Sequence, residues 1–246
     1  MSEGLLTRPR STVCECAIRG FYIASLLAFF TTPLQSALAQ APPAPAGPSA
    51  RFVVVLDAAH GGNDTGAQLA NGKQEKALTL ALSVRLRSLL GARGIQVVTT
   101  RESDAAIDSN RRAEIANHAD AQACLSIHAS ESGGGIHIFM SSLAPKQPAH
   151  WAAWKTAQAA WVTRSTALAG EVNSALLHAG FNVTLGRTTL PAIDSMTCPA
   201  IAIEVAPERD ANHGVTAELD DQDYQARIAT ALAAALVSWR SEAHQP

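Results

Sequence analysis

Two histidines and one glutamate stand where apolar segments of the chain give way to polar residues. Each of His60, His128 and Glu204 closely follows a short run of apolar residues. Such runs are typical of strands that are buried on both faces. Because parallel strands place their carboxyl ends at one edge of a sheet, the three side chains could converge. Two imidazoles and one carboxylate are a standard ligand set for a catalytic zinc ion whose fourth position is left to water.

Glu75 is a second carboxylate, and it lies at the predicted start of a helix. Leu78, Leu82 and Leu86 recur at the spacing of one helical face, and Gly91 supplies a stop after them. A carboxylate in the first turn complements the helix dipole, so Glu75 taken alone is explained as a residue of the helix start. If it instead meets the histidines, one carboxylate can bind metal while the other moves protons.

Predicted strands and helices alternate along the chain. After the first helix, the apolar runs at 95–100, 123–127, 136–140 and 199–203 indicate strands, with helices between them and a C-terminal helix at 219–239. This alternation predicts an α/β fold with a largely parallel sheet that is covered by helices on both faces.

A tryptophan-bearing segment precedes one of these helices. Trp151, Trp154, Gln158 and Trp161 share one face of a predicted helix that continues to Gly180. A tryptophan stripe of this kind favours a place in the core. The alternative is that the segment edges a cleft or contacts a partner.

Several residues near the predicted site have more than one explanation. Cys124 and Cys198 begin apolar runs and are either two buried thiols or a disulfide. Asp57 and Asp64 flank the first histidine, and either could hold its second ring nitrogen or only shape the loop. His137 alternates with apolar neighbours and is assigned a structural role.

The composition and the N-terminal segment limit the class of protein. The content of 47% hydrophobic residues indicates a folded globular protein. The net charge of −2 argues against a nucleic-acid binder. Three arginines, an apolar run at 21–30 and the sequence Ala-Leu-Ala at 37–39 predict a secretory signal peptide over 1–39. A Pro/Ala-rich linker at 40–50, one domain at 51–240 and a tail at 241–246 follow.

This organisation predicts a periplasmic or secreted protein with no stable membrane span after cleavage. The alternative is an uncleaved anchor, for which the apolar run is short because a span needs about 20 residues.

The residues around these positions resemble the zinc-dependent N-acetylmuramoyl-L-alanine amidases of bacteria, of the type 3 catalytic domain. The matching segments are 56–67, 75–76, 100–101, Arg112 with 116–117, 126–129 and 199–204, in the order and approximate spacing of that family. The resemblance implies that His60, Glu75 and His128 bind zinc and that Glu204 is the catalytic carboxylate. It also implies a twisted, mostly parallel sheet of about six strands between helices.

The reaction that the resemblance implies is hydrolysis of the amide bond between N-acetylmuramic acid and L-alanine in peptidoglycan. Zinc would polarise the carbonyl, while Glu204 would take a proton from the attacking water and return it to the alanine nitrogen. The alternatives are a zinc peptidase that cuts within the stem peptide and a non-catalytic cell-wall binding module. Peptidoglycan is the expected partner, and an activating protein is left open.

Overall fold

The computed structural model describes residues 51–147 and 153–243, and in this part of the chain six strands form one sheet. The strand order is β2-β1-β3-β6-β4-β5. Strands β2, β1, β3 and β6 are parallel, whereas β4 is antiparallel to β6 and parallel to β5. The predicted six-stranded, mostly parallel sheet is confirmed. The strands are β1 (Val53–Ala58), β2 (Gln96–Thr99), β3 (Ala123–Ala129), β4 (Ile136–Ser141), β5 (Val183–Thr188) and β6 (Ala200–Val205).

Helices cover both faces of this sheet, as predicted. One core joins the sheet to α1, α3 and α5, and a smaller core on the other face joins it to α2 and α4. A separate two-stranded ribbon, β7 (Glu208–Arg209) and β8 (Val215–Ala217), follows β6. The helices are α1 (Glu75–Gly91), α2 (Ser109–His118), α3 (Val162–His178), α4 (Pro191–Asp194) and α5 (Gln222–Ala243).

Burial on both faces fixes how the central strands align. In β1, Val54 and Leu56 enter the larger core while Val53 and Val55 enter the smaller one. A one-residue shift of pairing would exchange these faces, and each large apolar side chain that lost its burial would cost about 1.5–3 kcal/mol. The same constraint sets the register of β3 and β6, in which His128 is the Cα partner of Glu204.

The tryptophan-bearing segment differs from its prediction. A 3-10 segment, Trp154–Ala160, contains non-helical backbone at Thr156 and precedes α3, so no single helix continues through it. Trp154 is 47% exposed, whereas Gln158 is fully buried and donates hydrogen bonds to backbone carbonyls at 196 and 198. The predicted inward face is therefore wrong for Trp154, Trp161 is half-buried, and Gln158 is the residue of that face that is fully buried. Trp151 lies outside the described residues.

The predicted signal peptide and linker, over residues 1–50, also lie outside the described part of the chain. Within 51–147 and 153–243, no helix has both the length and the apolar character that crossing a bilayer requires.

Cys124 and Cys198 form a disulfide, which resolves the alternative that the sequence left open. Their Cα atoms are 6.3 Å apart, and 74 positions separate the two residues along the chain. Both cysteines are buried in the smaller core. The bond ties the start of β3 to the segment before β6, and these two strands carry His128 and Glu204.

We expect loss of this bond to reduce the free energy of unfolding by about 2–4 kcal/mol, because a cross-link between distant residues restricts the unfolded chain. Denaturant unfolding should be measured for the oxidised protein, the reduced protein and a Cys124→Ala/Cys198→Ala variant. Reductant should shift the midpoint of the wild type and leave that of the variant unchanged. Equal midpoints for oxidised and reduced wild type would contradict the expectation.

Candidate metal centre

His60, Glu75 and His128 lie together at the carboxyl edge of the parallel strands. Nε2 of His60 is 3.1 Å from Oε2 of Glu75, and Nδ1 of His128 is 3.1 Å from Oε1 of the same carboxylate. One ligand atom from each residue lies within 4.8 Å of the other two. The structure thus brings together the three side chains for which a metal-binding role is predicted, in an arrangement that could hold a metal ion.

Glu75 is buried, and backbone N–H groups bind both of its carboxylate oxygens. Oε1 accepts a hydrogen bond from Ala129 N–H at 3.0 Å, and Oε2 accepts one from Ala67 N–H at 2.9 Å. Burial raises the pKa of the Glu75 carboxyl, but the hydrogen bonds from His128 and from these backbone groups outweigh burial and bring the pKa below its ordinary value. The carboxylate is therefore held ionised between the two imidazoles. It is also the first residue of α1, so its predicted place at the helix start is confirmed.

The backbone at His60 is in the left-handed region, with φ at 61°, which is uncommon for a residue that has a side chain. Two buried arginines hold this turn. Arg112 donates to the His60 carbonyl at 2.7 Å, and Arg101 donates to the carbonyls of Ala58 and Ala59 at 2.8 and 2.9 Å. These hydrogen bonds fix the turn from which the imidazole reaches Glu75.

Arg112 is in turn fixed by Asp57, which is only 2% exposed. Oδ1 of Asp57 accepts hydrogen bonds from Arg112 at 2.6 Å and from the Thr100 hydroxyl at 2.7 Å, and Oδ2 accepts one from the Ser126 hydroxyl at 2.7 Å. A buried ion pair offsets the loss of water best when other donors complete its hydrogen bonding in this way. The ion pair with the buried Asp57 carboxylate therefore explains why an arginine is buried at position 112.

Asp64, rather than Asp57, contacts the second nitrogen of the His60 ring. Its Oδ2 is 2.9 Å from Nδ1, and this hydrogen bond lowers the pKa of Asp64. An ionised carboxylate can only accept, so the contact with Asp64 favours a proton on Nδ1, and the lone pair of Nε2 is then the one that a metal ion would take. This is the arrangement by which a carboxylate orients a histidine that binds metal.

Glu204 stands next to this centre, on the strand beside His128. Ile203 and Val205 enter the larger core, so the Glu204 side chain emerges on the opposite face of the sheet. Among residues 51–147 and 153–243, its carboxylate has no hydrogen bond or ion pair. A cleft of about 360 Å³ opens on this face, with His60 and His128 in its wall and with residues 107–109 and 190–193 at its sides.

Gly66 is a site residue that the sequence analysis does not single out. Its φ is +64°, and a Cβ built on it would lie 2.6 Å from Oε2 of Glu75 and 2.6 Å from Cδ2 of His60. The feature of the sequence that could have identified Gly66 is its position two residues after Asp64, in the segment that carries the first histidine. The close approach of backbone to ligand requires glycine here.

We expect Gly66→Ala to lower affinity for zinc by about 10- to 100-fold, because the added Cβ would displace the ligand side chains. Gly72→Ala is the matched control, since Gly72 has a similar φ of +72° and nothing lies within 4 Å of its built Cβ. Zinc titration of the metal-free proteins by calorimetry measures both. Wild-type affinity in Gly66→Ala, or an equal loss in the two variants, would contradict the collision.

We expect Arg112→Met to reduce the free energy of unfolding by about 3–5 kcal/mol, because it leaves the Asp57 carboxylate buried without its cation. Arg111→Met is the control. The Arg111 ion pair with Glu114 is exposed, with 62% and 53% of the two side chains accessible, so its loss should cost under about 1 kcal/mol. Urea unfolding of both variants provides the comparison, and similar midpoints would contradict a structural role for the buried pair.

Comparison with known proteins relates this chain to a family. A family model described as N-acetylmuramoyl-L-alanine amidase matches residues 54–238. The amidase AmiA of Escherichia coli (strain K12) is 42% identical over 94 residues, which cover 37% of this chain and 32% of AmiA. The match spans about a third of the length of that relative.

Solved amidase structures share the fold. The catalytic domain of CwlV from Bacillus (Paenibacillus) polymyxa var. colistinus has a TM-score of 0.61 at 24% identity and covers 77% of this chain and 98% of that one. The CwlD amidase of Clostridioides difficile, in complex with the GerS lipoprotein, has a TM-score of 0.60 at 22% identity and covers 78% and 100%. With the family model matching most of the chain, this protein belongs to the N-acetylmuramoyl-L-alanine amidase family.

Proposed function

We propose that this chain is a zinc-dependent amidase that hydrolyses the bond between N-acetylmuramic acid and L-alanine in peptidoglycan. The observation that carries the proposal is the meeting of His60, Glu75 and His128 beside a carboxylate, Glu204, on the neighbouring strand. Membership of the amidase family supports the choice of scissile bond.

The donor set supports zinc as the metal. Ligand atoms about 2.0–2.1 Å from a tetrahedral zinc ion lie roughly 3.3 Å from one another. Each imidazole nitrogen lies 3.1 Å from one oxygen of the Glu75 carboxylate, His60 from Oε2 and His128 from Oε1. One ligand atom of each of the three residues lies within 4.8 Å of the other two. Two histidines and one glutamate also occur as the protein ligands of catalytic zinc, with a position left for water or substrate.

Each side chain then has a separate task. When bound, zinc would polarise the amide carbonyl and lower the pKa of an attacking water. Glu204 would accept the proton of that water and deliver it to the alanine nitrogen as the amide bond breaks. The Glu75 carboxylate is already held by three hydrogen bonds, from Ala67, Ala129 and His128. The Glu204 carboxylate is bound by none of the described residues and so is free to exchange protons.

We further propose that the protein acts in the periplasm or outside the cell after removal of residues 1–39. The disulfide between Cys124 and Cys198 supports an oxidising compartment. Peptidoglycan is the proposed partner. An activating protein is a second proposed partner, supported only by the solved complex of the related CwlD with a lipoprotein.

We expect Glu204→Gln to keep zinc and lose turnover by about 100-fold or more, because the amide cannot accept the proton of the water. His128→Ala should lose zinc and activity together. The matched control is Glu218→Gln, which neutralises an exposed carboxylate away from the centre and should behave as wild type. The measurement is mass spectrometry of products released from purified peptidoglycan by residues 40–246, with zinc content determined on the same samples.

The products also distinguish the alternatives. Free stem peptides that begin with L-alanine, abolished by a chelator and restored by zinc, are the expected result. Metal-dependent cleavage at another bond would replace the amidase assignment with that of a zinc peptidase. If purified protein neither binds zinc nor releases products, the binding-module alternative takes its place.

A further inference from the structure

Three ionisable side chains form a row across neighbouring strands of the sheet. His128 on β3 is the Cα partner of Glu204 on β6, and Glu204 is the Cα partner of His137 on β4. On each strand the flanking apolar residues enter the larger core, so all three side chains emerge on the opposite face. Of the three, His128 lines the cleft on that face. Directly opposed residues of an antiparallel pair have Cβ atoms about 4.5–5.5 Å apart. The sequence analysis gave His137 only a structural role.

One nitrogen of the His137 ring is bound and the other is not. Nδ1 lies 2.6 Å from the Thr184 hydroxyl on β5. Nε2 is buried and has no hydrogen-bond partner. No other buried side-chain nitrogen or oxygen of the described residues lacks one. Burying a polar group without a partner costs free energy, so an unpartnered nitrogen in a native site calls for a ligand or a role.

The loop at 130–135 covers this nitrogen and crosses the end of β6. A Cβ built on Gly133 would lie 2.9 Å from Nε2 of His137. Ser130 N–H donates to the Val205 carbonyl at 2.9 Å, and Gly135 N–H donates to the Pro207 carbonyl at 3.0 Å. The loop therefore borders both His137 and the strand end that carries Glu204.

We propose that His137 is a positioning residue for Glu204. The Thr184 hydroxyl donates to Nδ1, which places the ring proton on Nε2, and Nε2–H donates to the Glu204 carboxylate when that flexible side chain turns toward β4. This hydrogen bond orients the carboxylate that exchanges protons with water and with the leaving nitrogen. The inference rests on the proposed amide hydrolysis, because it assigns Glu204 a part in that reaction.

Two amide substitutions separate this role from a packing role. The amide of His137→Asn overlays Nδ1 and can still bind Thr184, whereas the longer side chain of His137→Gln places its amide near Nε2. We expect His137→Asn to lower kcat on a soluble muramoyl peptide by about 10- to 100-fold with little change in KM or zinc content. His137→Gln should restore part of that loss. His118→Gln is the control for unchanged activity, because His118 is exposed and its Nδ1 bonds the Glu114 carbonyl of its own helix.

Wild-type kcat in His137→Asn, or equal losses in the Asn and Gln variants, would overturn the proposal. A second measurement does not depend on turnover or on the folding of His137 variants. Imidazole proton–nitrogen spectra of the metal-free wild type should show His137 protonated on Nε2, and Glu204→Gln should shift that resonance. A proton on Nδ1, or a resonance that Glu204→Gln leaves unchanged, would overturn the proposal. Inactive wild type with the expected spectra would contradict the proposed function and not this contact.

Discussion

The centre depends on the turn at the end of β1, which two buried guanidinium groups hold in place. The chain leaves the sheet after Ala58 and takes a left-handed conformation at His60, and the carbonyls of residues 58–60 all accept hydrogen bonds from Arg101 or Arg112. Without these donors the carbonyls of Ala58 and His60 would lose their hydrogen bonds, at a cost of about 1–3 kcal/mol for each buried group left unpaired, whereas the Ala59 carbonyl would keep one from the Thr79 hydroxyl. The Asp57 carboxylate balances the charge of Arg112 beneath the turn. The position of the first histidine is thus determined by groups that do not themselves meet a metal.

Glu75 shows how one residue serves the fold and the site together. It begins α1, where a negative charge is favoured by the exposed N–H groups of the helix start. Its two oxygens also receive N–H groups from Ala67 and Ala129, which belong to the loop after β1 and to the end of β3. The carboxylate therefore joins the segments that carry the two histidines.

The sequence predicts those parts of the structure that depend on short-range pattern. Apolar runs located β1, β2, β3, β4 and β6 but not the largely exposed β5, and the rule that parallel strands end at one edge indicated that His60, His128 and Glu204 could converge. The assignment of Glu75 needed the family resemblance, since helix-start chemistry explained it equally well. Features that depend on residues far apart in the sequence were not predictable. The disulfide could be predicted only from the distance between Cys124 and Cys198, and the burial of Gln158 only from the position of the carbonyls that it binds. Periodicity placed Trp154 inward because it assumed a continuous helix, which the backbone at Thr156 interrupts.

His137 was overlooked for a reason of topology. In a parallel sheet the polar residues of a site lie where strands end, so a search of strand ends finds them. Strand β4 runs in the opposite direction to β6, and its beginning lies at the same edge as the ends of β3 and β6. His137 is the second residue of β4 and therefore reaches the edge from a strand start. A connection of six residues suffices to link the end of β3 to this start, and it must cross the end of β6 because that strand lies between them. The reversal of β4 thus brings both a histidine and a glycine-rich loop to the edge at which the parallel strands place Glu204.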